Sequence, residues 1–168
     1  MELLIVRHAL ADDWATFAAT GQDDLLRPLT ERGRKRMGQV ARAIRQLVPV
    51  IDAIAVSPAL RATQTAEILA NAYQGLGLIQ VPALAPGARP QTIAQWLARQ
   101  PDAATLALVG HEPDLSGLIA WLTAASPQGF LRLGKGAVCL LECDAPAEAG
   151  CCELQWLMQP RQLCLLAD

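Results

Sequence analysis

Only two histidines occur in this chain, His8 and His111, and each closes an apolar run, "LLIVRH" near the N-terminus and "TLALVGH" at 105–111. Arg7 stands beside the first, and a second arginine, Arg61, follows another apolar run in "SPALR". A neutral imidazole is a nucleophile able to form covalent intermediates. Guanidinium groups grip phosphoryl oxygens through paired hydrogen bonds and keep their charge at any physiological pH. Together these residue types suit phosphoryl transfer, where positioning and stabilising charge on the equatorial oxygens supply most of the catalysis. The competing uses of the histidines are structural hydrogen bonding and a metal pair. Neighbouring arginines would repel a cation, so no metal or other cofactor is expected.

That chemistry requires elements that bring the four residues to one rim. "ELLIV" is a short run rich in branched residues, the pattern of a strand buried on both faces. Met37, Val40, Ala41, Ile44 and Leu47 recur at helical spacing behind a Thr30 cap. "DAIAVS" predicts the second strand, with a helix from about Ala59 to Tyr73; "IQVPAL" predicts the third and "ATLALVG" the fourth. "RPQTIAQWLARQ" and "PDLSGLIAWLTA" predict helices, the latter with Pro113 in its first turn. The tail changes character: "AVCLLECD" and "CCELQWLM" read as a hairpin joined by "APAEAG". The expectation is an α/β fold, a three-layer α/β/α sandwich. Its central sheet is mainly parallel, with a C-terminal antiparallel hairpin added at one edge. Ligands of such sheets bind beyond the carboxyl ends of the strands. Arg7 and His8 end the first strand, Arg61 opens the helix after the second, and His111 ends the fourth. Backbone N–H groups at the start of the Arg61 helix would reinforce the same anion site.

The bulk properties fit. A length of 168 residues, 52% hydrophobic and 18% charged, suits one folded domain, 1–168. A net charge of −2 argues against a general nucleic-acid binder, so any anion site is local. No stretch reaches the roughly 18–20 apolar residues of a membrane span, and "MELLIVRH" is not a secretory leader. A cytoplasmic protein with no membrane association is expected. The five cysteines read as thiols acting as small hydrophobes rather than as a zinc or redox site.

Three blocks in this order, "LIVRHA", "SPALRATQTAEIL" and "LVGHEPDL", resemble the signatures of the histidine phosphatase superfamily, the phosphoglycerate-mutase-like fold. The short length and "LRPLTERGR" are most similar to SixA-type phosphohistidine phosphatases. The resemblance implies that His8 accepts the phosphoryl group and that Arg7, Arg61 and His111 bind it. Arg27 would be a further phosphate-binding arginine near the pocket. It also implies a phosphorylated protein of the histidine-containing phosphotransfer type as partner, in signal transduction, with inorganic phosphate as product.

Two departures stand out. Ala9 replaces the glycine usual after the first histidine, so that turn must tolerate a Cβ. The loop after the third strand, "LAPGARPQ", contains no carboxylate, where ester-cleaving relatives carry a general acid. A positioned acid contributes ~10²–10⁴-fold with a basic leaving group. An imidazole leaving group titrates around pKa ~6.5 and needs such help far less. The alternatives are a phosphatase of small phosphomonoesters using Asp12, Asp13 or Glu112 as acid, and a non-catalytic module that binds phosphoproteins. "ALADDWATFAATGQDD" is too short to close deeply over the rim, and Trp14 within it would border the pocket. Trp96, Trp121 and Trp156 read as packing residues. The basic run "ERGRKRMGQ" is either a solvated helix face or an attractant for an acidic partner.

Overall fold

The computed structural model describes residues 1–100, 104–126, 128–144 and 148–167. Six strands form one sheet: β1 (Glu2–Arg7), β2 (Ala53–Val56), β3 (Leu78–Gln80), β4 (Thr105–Gly110), β5 (Val138–Cys143) and β6 (Cys152–Met158). Their spatial order is β3-β2-β4-β1-β5-β6. The first four run parallel, while β5 is antiparallel to β1 and β6 to β5, as the hairpin pattern predicts. Residues 145–147 of the "APAEAG" connection lie outside the described residues.

Successive strand residues point to opposite faces, and the core divides accordingly. Leu4, Val6, Ile54, Val56, Ala107 and Val109 pack under α2 (Glu31–Leu47), α3 (Leu60–Ala72) and a short C-terminal α6 (Pro160–Leu165). Leu3, Ile5, Ala55, Leu106 and Leu108 pack under α4 (Pro90–Leu97) and α5 (Asp114–Ala124). This is the expected three-layer sandwich. Leu3, Leu4, Ile5 and Val6 are all fully buried, each contributing about 1.5–3 kcal/mol of apolar transfer.

Local chemistry sets the ends of these elements. The Thr30 hydroxyl accepts from the Gly33 N–H, the predicted cap of α2. Gly33 is required there, because a Cβ would collide with the Leu10 carbonyl. β3 stops at Gln80, short of the predicted "IQVPAL", because Pro82 has no N–H for a ladder and opens a 3-10 turn over Pro82–Leu84. A second 3-10 turn, Asp24–Leu26, lies between α1 (Trp14–Ala18) and α2. Trp96, Trp121 and Trp156 pack against the two core clusters as expected, whereas Trp14 is 64% exposed.

The cysteine reading is corrected. The β5–β6 register sets Cys143 opposite Cys152, and the two form a disulfide with Cα atoms 4.1 Å apart. Cys139 keeps the expected role: it is a fully buried thiol whose pKa burial raises to about 12. No described helix is long and apolar enough to cross a membrane.

Candidate active site

Strand register assembles the site. Arg7 pairs with Gly110 in the β1–β4 ladder, so the next residues, His8 and His111, emerge from adjacent strands at the same height. Their ring centroids are 5.2 Å apart. Val56 pairs with Val109, which sets Ser57 beside His111 on the other flank. The Ser57 Oγ lies 2.8 Å from His111 Nε2. Arg61 follows in the first turn of α3 and is buried.

The hydrogen bonds fix the tautomer of His8 and engage one nitrogen of His111. His8 Nδ1 lies 2.8 Å from the Ala9 carbonyl, which can only accept. Nδ1 therefore carries the proton, and Nε2 keeps its lone pair. The Ser57 Oγ accepts from the Ala59 N–H at 3.3 Å and pairs with His111 Nε2, and in the tautomer where the serine proton goes to Nε2 the opposite nitrogen is the donor. His111 then carries its hydrogen on Nδ1, a buried atom with no hydrogen-bond partner. The Nε atoms of Arg7 and Arg61 are buried and unpartnered as well. An unmatched buried donor costs about 1–3 kcal/mol. Three of them at the carboxyl ends of neighbouring strands form a set of donors for an oxyanion.

Both imidazoles are neutral at physiological pH. Burial pushes the pKa of His8 down to about 3; the Ala9 carbonyl only partly offsets this, and the positive charges of Arg61 and Arg7, with that of His111 when it too is protonated, add to it. Burial also pushes His111 down to about 3, with Arg61, Arg7 and Arg27 adding to the effect and Asp24 opposing it. Burial lowers Arg7 and Arg61 too, without bringing a guanidinium near neutrality.

The chain before α2 supplies a residue that the sequence motifs do not single out. The Asp24 carboxylate accepts from Arg27 Nε at 2.7 Å through Oδ1 and pairs with Arg61 NH2 at 3.0 Å through Oδ2. Its backbone carbonyl accepts from Arg61 NH1 at 2.7 Å. Although partial burial raises its pKa, the Arg27 hydrogen bond and the two guanidinium charges hold it below the usual carboxylate range. Arg27 also donates to the Asp12 carbonyl at 2.8 Å, so it joins this stretch to the site through Asp24. Thr65 is a second unanticipated residue: its hydroxyl accepts from the Ala9 N–H at 3.0 Å and donates to the Arg61 carbonyl at 2.7 Å. It ties the turn after β1 to α3. Ala9 is buried with an ordinary negative φ, so the turn accommodates its methyl group.

Two of the carboxylates considered as acids, Glu112 and Asp13, are otherwise engaged. Glu112 accepts from the Leu133 N–H at 3.0 Å and from the Ser116 hydroxyl at 2.7 Å, and its charge supports Arg7. Asp13 caps α1 through Thr16. Asp12 reaches the site through its backbone carbonyl. Asp114, whose pKa burial raises, accepts from the Gly87 N–H at 2.8 Å. Among the described residues the one cysteine cluster, Cys143, Cys151 and Cys152, lies on the hairpin strands away from the histidines.

Comparison with known proteins agrees with this geometry. The sequence profile of the histidine phosphatase superfamily (branch 1) matches residues 3–85. An uncharacterised protein of Picosynechococcus sp. is 44% identical over 141 residues, covering 82% of either chain. Among solved structures, the protein histidine phosphatase SixA complexed with tungstate has a TM-score of 0.80 at 24% identity, over 97% of this chain and 99% of that one. A phosphohistidine phosphatase SixA assigned in Agrobacterium tumefaciens gives 0.75 at 25% identity, over 95% and 97%. An alpha-ribazole phosphatase from Shigella flexneri shares the fold with a TM-score of 0.74 at 18% identity, over 95% and 97%. The chain belongs to branch 1 of the histidine phosphatase superfamily and is a phosphatase with the SixA-type fold.

Proposed function

We propose that the protein hydrolyses phosphohistidine on a protein of the histidine-containing phosphotransfer type, in cytoplasmic signalling. The carrying observation is the pair of neutral imidazoles 5.2 Å apart beside three buried, unpartnered nitrogens, Arg7 Nε, Arg61 Nε and His111 Nδ1. His8 Nε2 attacks phosphorus; its bond to phosphorus forms as the bond to the substrate imidazole breaks. The departing imidazole takes its proton from solvent or already carries it. Water then attacks phospho-His8, releasing inorganic phosphate and restoring the neutral ring. Arg7, Arg61 and His111 hold the phosphoryl oxygens, while Arg27 acts through Asp24. No cofactor takes part in this scheme.

The carboxylate inventory supports phosphohistidine over esters. Glu112 and Asp24 are held as acceptors or ion pairs and Asp13 caps α1, so unless the Asp12 carboxylate supplies the proton an ester would forgo the ~10²–10⁴-fold contribution of a general acid. The test compares phosphate release from a phosphohistidine protein, p-nitrophenyl phosphate and a phosphoserine peptide, for the native chain and His8→Ala. Release from phosphohistidine at least about 100-fold above phosphoserine, abolished in the variant, is expected. Comparable phosphoserine turnover would instead favour the small-ester reading. Phosphate binding with no turnover would make the protein a phosphoprotein-binding module.

A further inference from the structure

One concavity beside the site is not centred on the two imidazoles. It is a groove of about 750 Å³ that meets the site at Arg7 and runs away from it between α2 and the segment 132–136, with the start of α6 beyond. Its walls carry Arg7, Arg32, Arg36, Arg132, Lys135 and Arg161, and among the described residues no carboxylate lines it. Leu10, Met37, Val40 and Pro160 give it an apolar floor. Arg32 and Arg36 lie one helical turn apart on α2, so both project along one wall. These two are the part of the basic run that faces the groove.

Three features narrow the occupant. First, Arg32, Arg36, Arg132, Lys135 and Arg161 are exposed and have no ion pair among the described residues. In a chain of net charge −2, so local a concentration of uncompensated cations marks a surface for a negative partner. Second, the wall opposite α2 is built before any partner arrives. The Gln159 side chain accepts from the Gly134 N–H at 2.8 Å and donates to the Arg132 carbonyl at 2.9 Å. Third, among the described residues no aromatic side chain lines the groove, so nucleobases find no stacking platform there. The apolar floor between rows of cations suits a polypeptide carrying both acidic and apolar side chains.

We propose that this groove seats an acidic, partly apolar segment of the phosphorylated protein, next to the residue whose phosphoryl group enters the site. This rests on the phosphohistidine reading for the identity of the substrate, but the groove is tested separately. Arg7 belongs to both, so a segment in the groove would lead directly to the phosphoryl-binding residues.

The test uses Arg32→Gln/Arg36→Gln/Arg161→Gln, three exposed positions outside the site, with circular dichroism confirming the fold. Binding of a fluorescent peptide of alternating glutamate and leucine is followed by anisotropy at low and high salt. Turnover of a phosphohistidine protein and of imidazole phosphoramidate is measured in parallel. The expected result is peptide binding that weakens about tenfold in the variant and falls with salt, a similar loss of kcat/KM on the phosphoprotein, and unchanged phosphoramidate turnover. Peptide binding that is absent, or equal in both proteins, overturns the groove even if phosphohistidine is hydrolysed. Tighter binding of an oligonucleotide, or variant-sensitive self-association by sedimentation, overturns it in favour of another occupant. Variant-sensitive peptide binding with no phosphohistidine turnover upholds the groove and removes the substrate assignment.

Discussion

At the scale of single residues, the two imidazoles are distinguished by their hydrogen bonds. His8 is locked by the Ala9 carbonyl and His111 by Ser57, so each ring presents one defined nitrogen. Neutrality follows from burial among arginines, and it can be measured. Nitrogen-15 NMR of the phosphate-free protein should show both imidazoles neutral down to about pH 5, with His8 as the Nδ1-protonated tautomer. A midpoint near the ordinary value of about 6.5 for either ring would refute this electrostatic description. The sequence reveals His8, Arg7, Arg61 and His111 because each stands at the end of a recognisable run. It does not reveal Asp24 or Thr65, whose partners lie 37 and 56 residues away in sequence. Two adjacent aspartates before "LLRPL" were visible, but nothing local says that the second one reaches Arg61.

At the scale of elements, the site depends on how closely α2 approaches the turn after β1. The Leu10 carbonyl accepts from the Thr30 N–H at 3.0 Å and from its hydroxyl at 3.2 Å, while Gly33 presses against the same carbonyl. Two glycines of one helix should therefore respond in opposite directions. Gly33→Ala should cost about 2 kcal/mol or more, because backbone must move, lowering Tm by roughly 4–8 °C in a chain of this length. Gly38→Ala meets nothing within 4 Å and should gain about 0.5–1 kcal/mol of helix stability. Thermal denaturation of the two variants decides it, and equal, small shifts would show that α2 does not need its close approach. The succession of strands and helices along the chain is legible because short apolar runs and period-3.6 patterns alternate, whereas the spatial order of the strands is not. The short α6, "PRQLCL", spans too few residues to show a period. The Cys143–Cys152 pairing depends on strand register, which a cysteine count does not encode.

At the scale of the whole molecule, the cations and histidines gathered at the strand ends link stability to pH. In the folded chain both imidazoles have pKa values of about 3, whereas the unfolded chain should titrate them near ~6.5. Between these limits the unfolded state binds more protons, so stability rises with pH. The contribution is complete above pH ~6.5 and is lost progressively as pH falls towards 3, where the folded rings themselves become charged. One unit below ~6.5, each ring costs about 1.4 kcal/mol, so the pair removes roughly 3 kcal/mol by pH ~5.5. That is a large share of the 5–15 kcal/mol typical of a folded domain. Asp24, held below its ordinary range, adds a loss in the same direction at still lower pH. Urea unfolding at a series of pH values in phosphate-free buffer measures the effect. The native chain should show a midpoint that falls steadily below pH ~6.5, and a His8→Gln/His111→Gln variant should be much flatter from pH 7 to 5. Parallel curves for the two proteins would mean that the acid sensitivity arises elsewhere, and that the burial of the two rings does not govern the charge balance of the site.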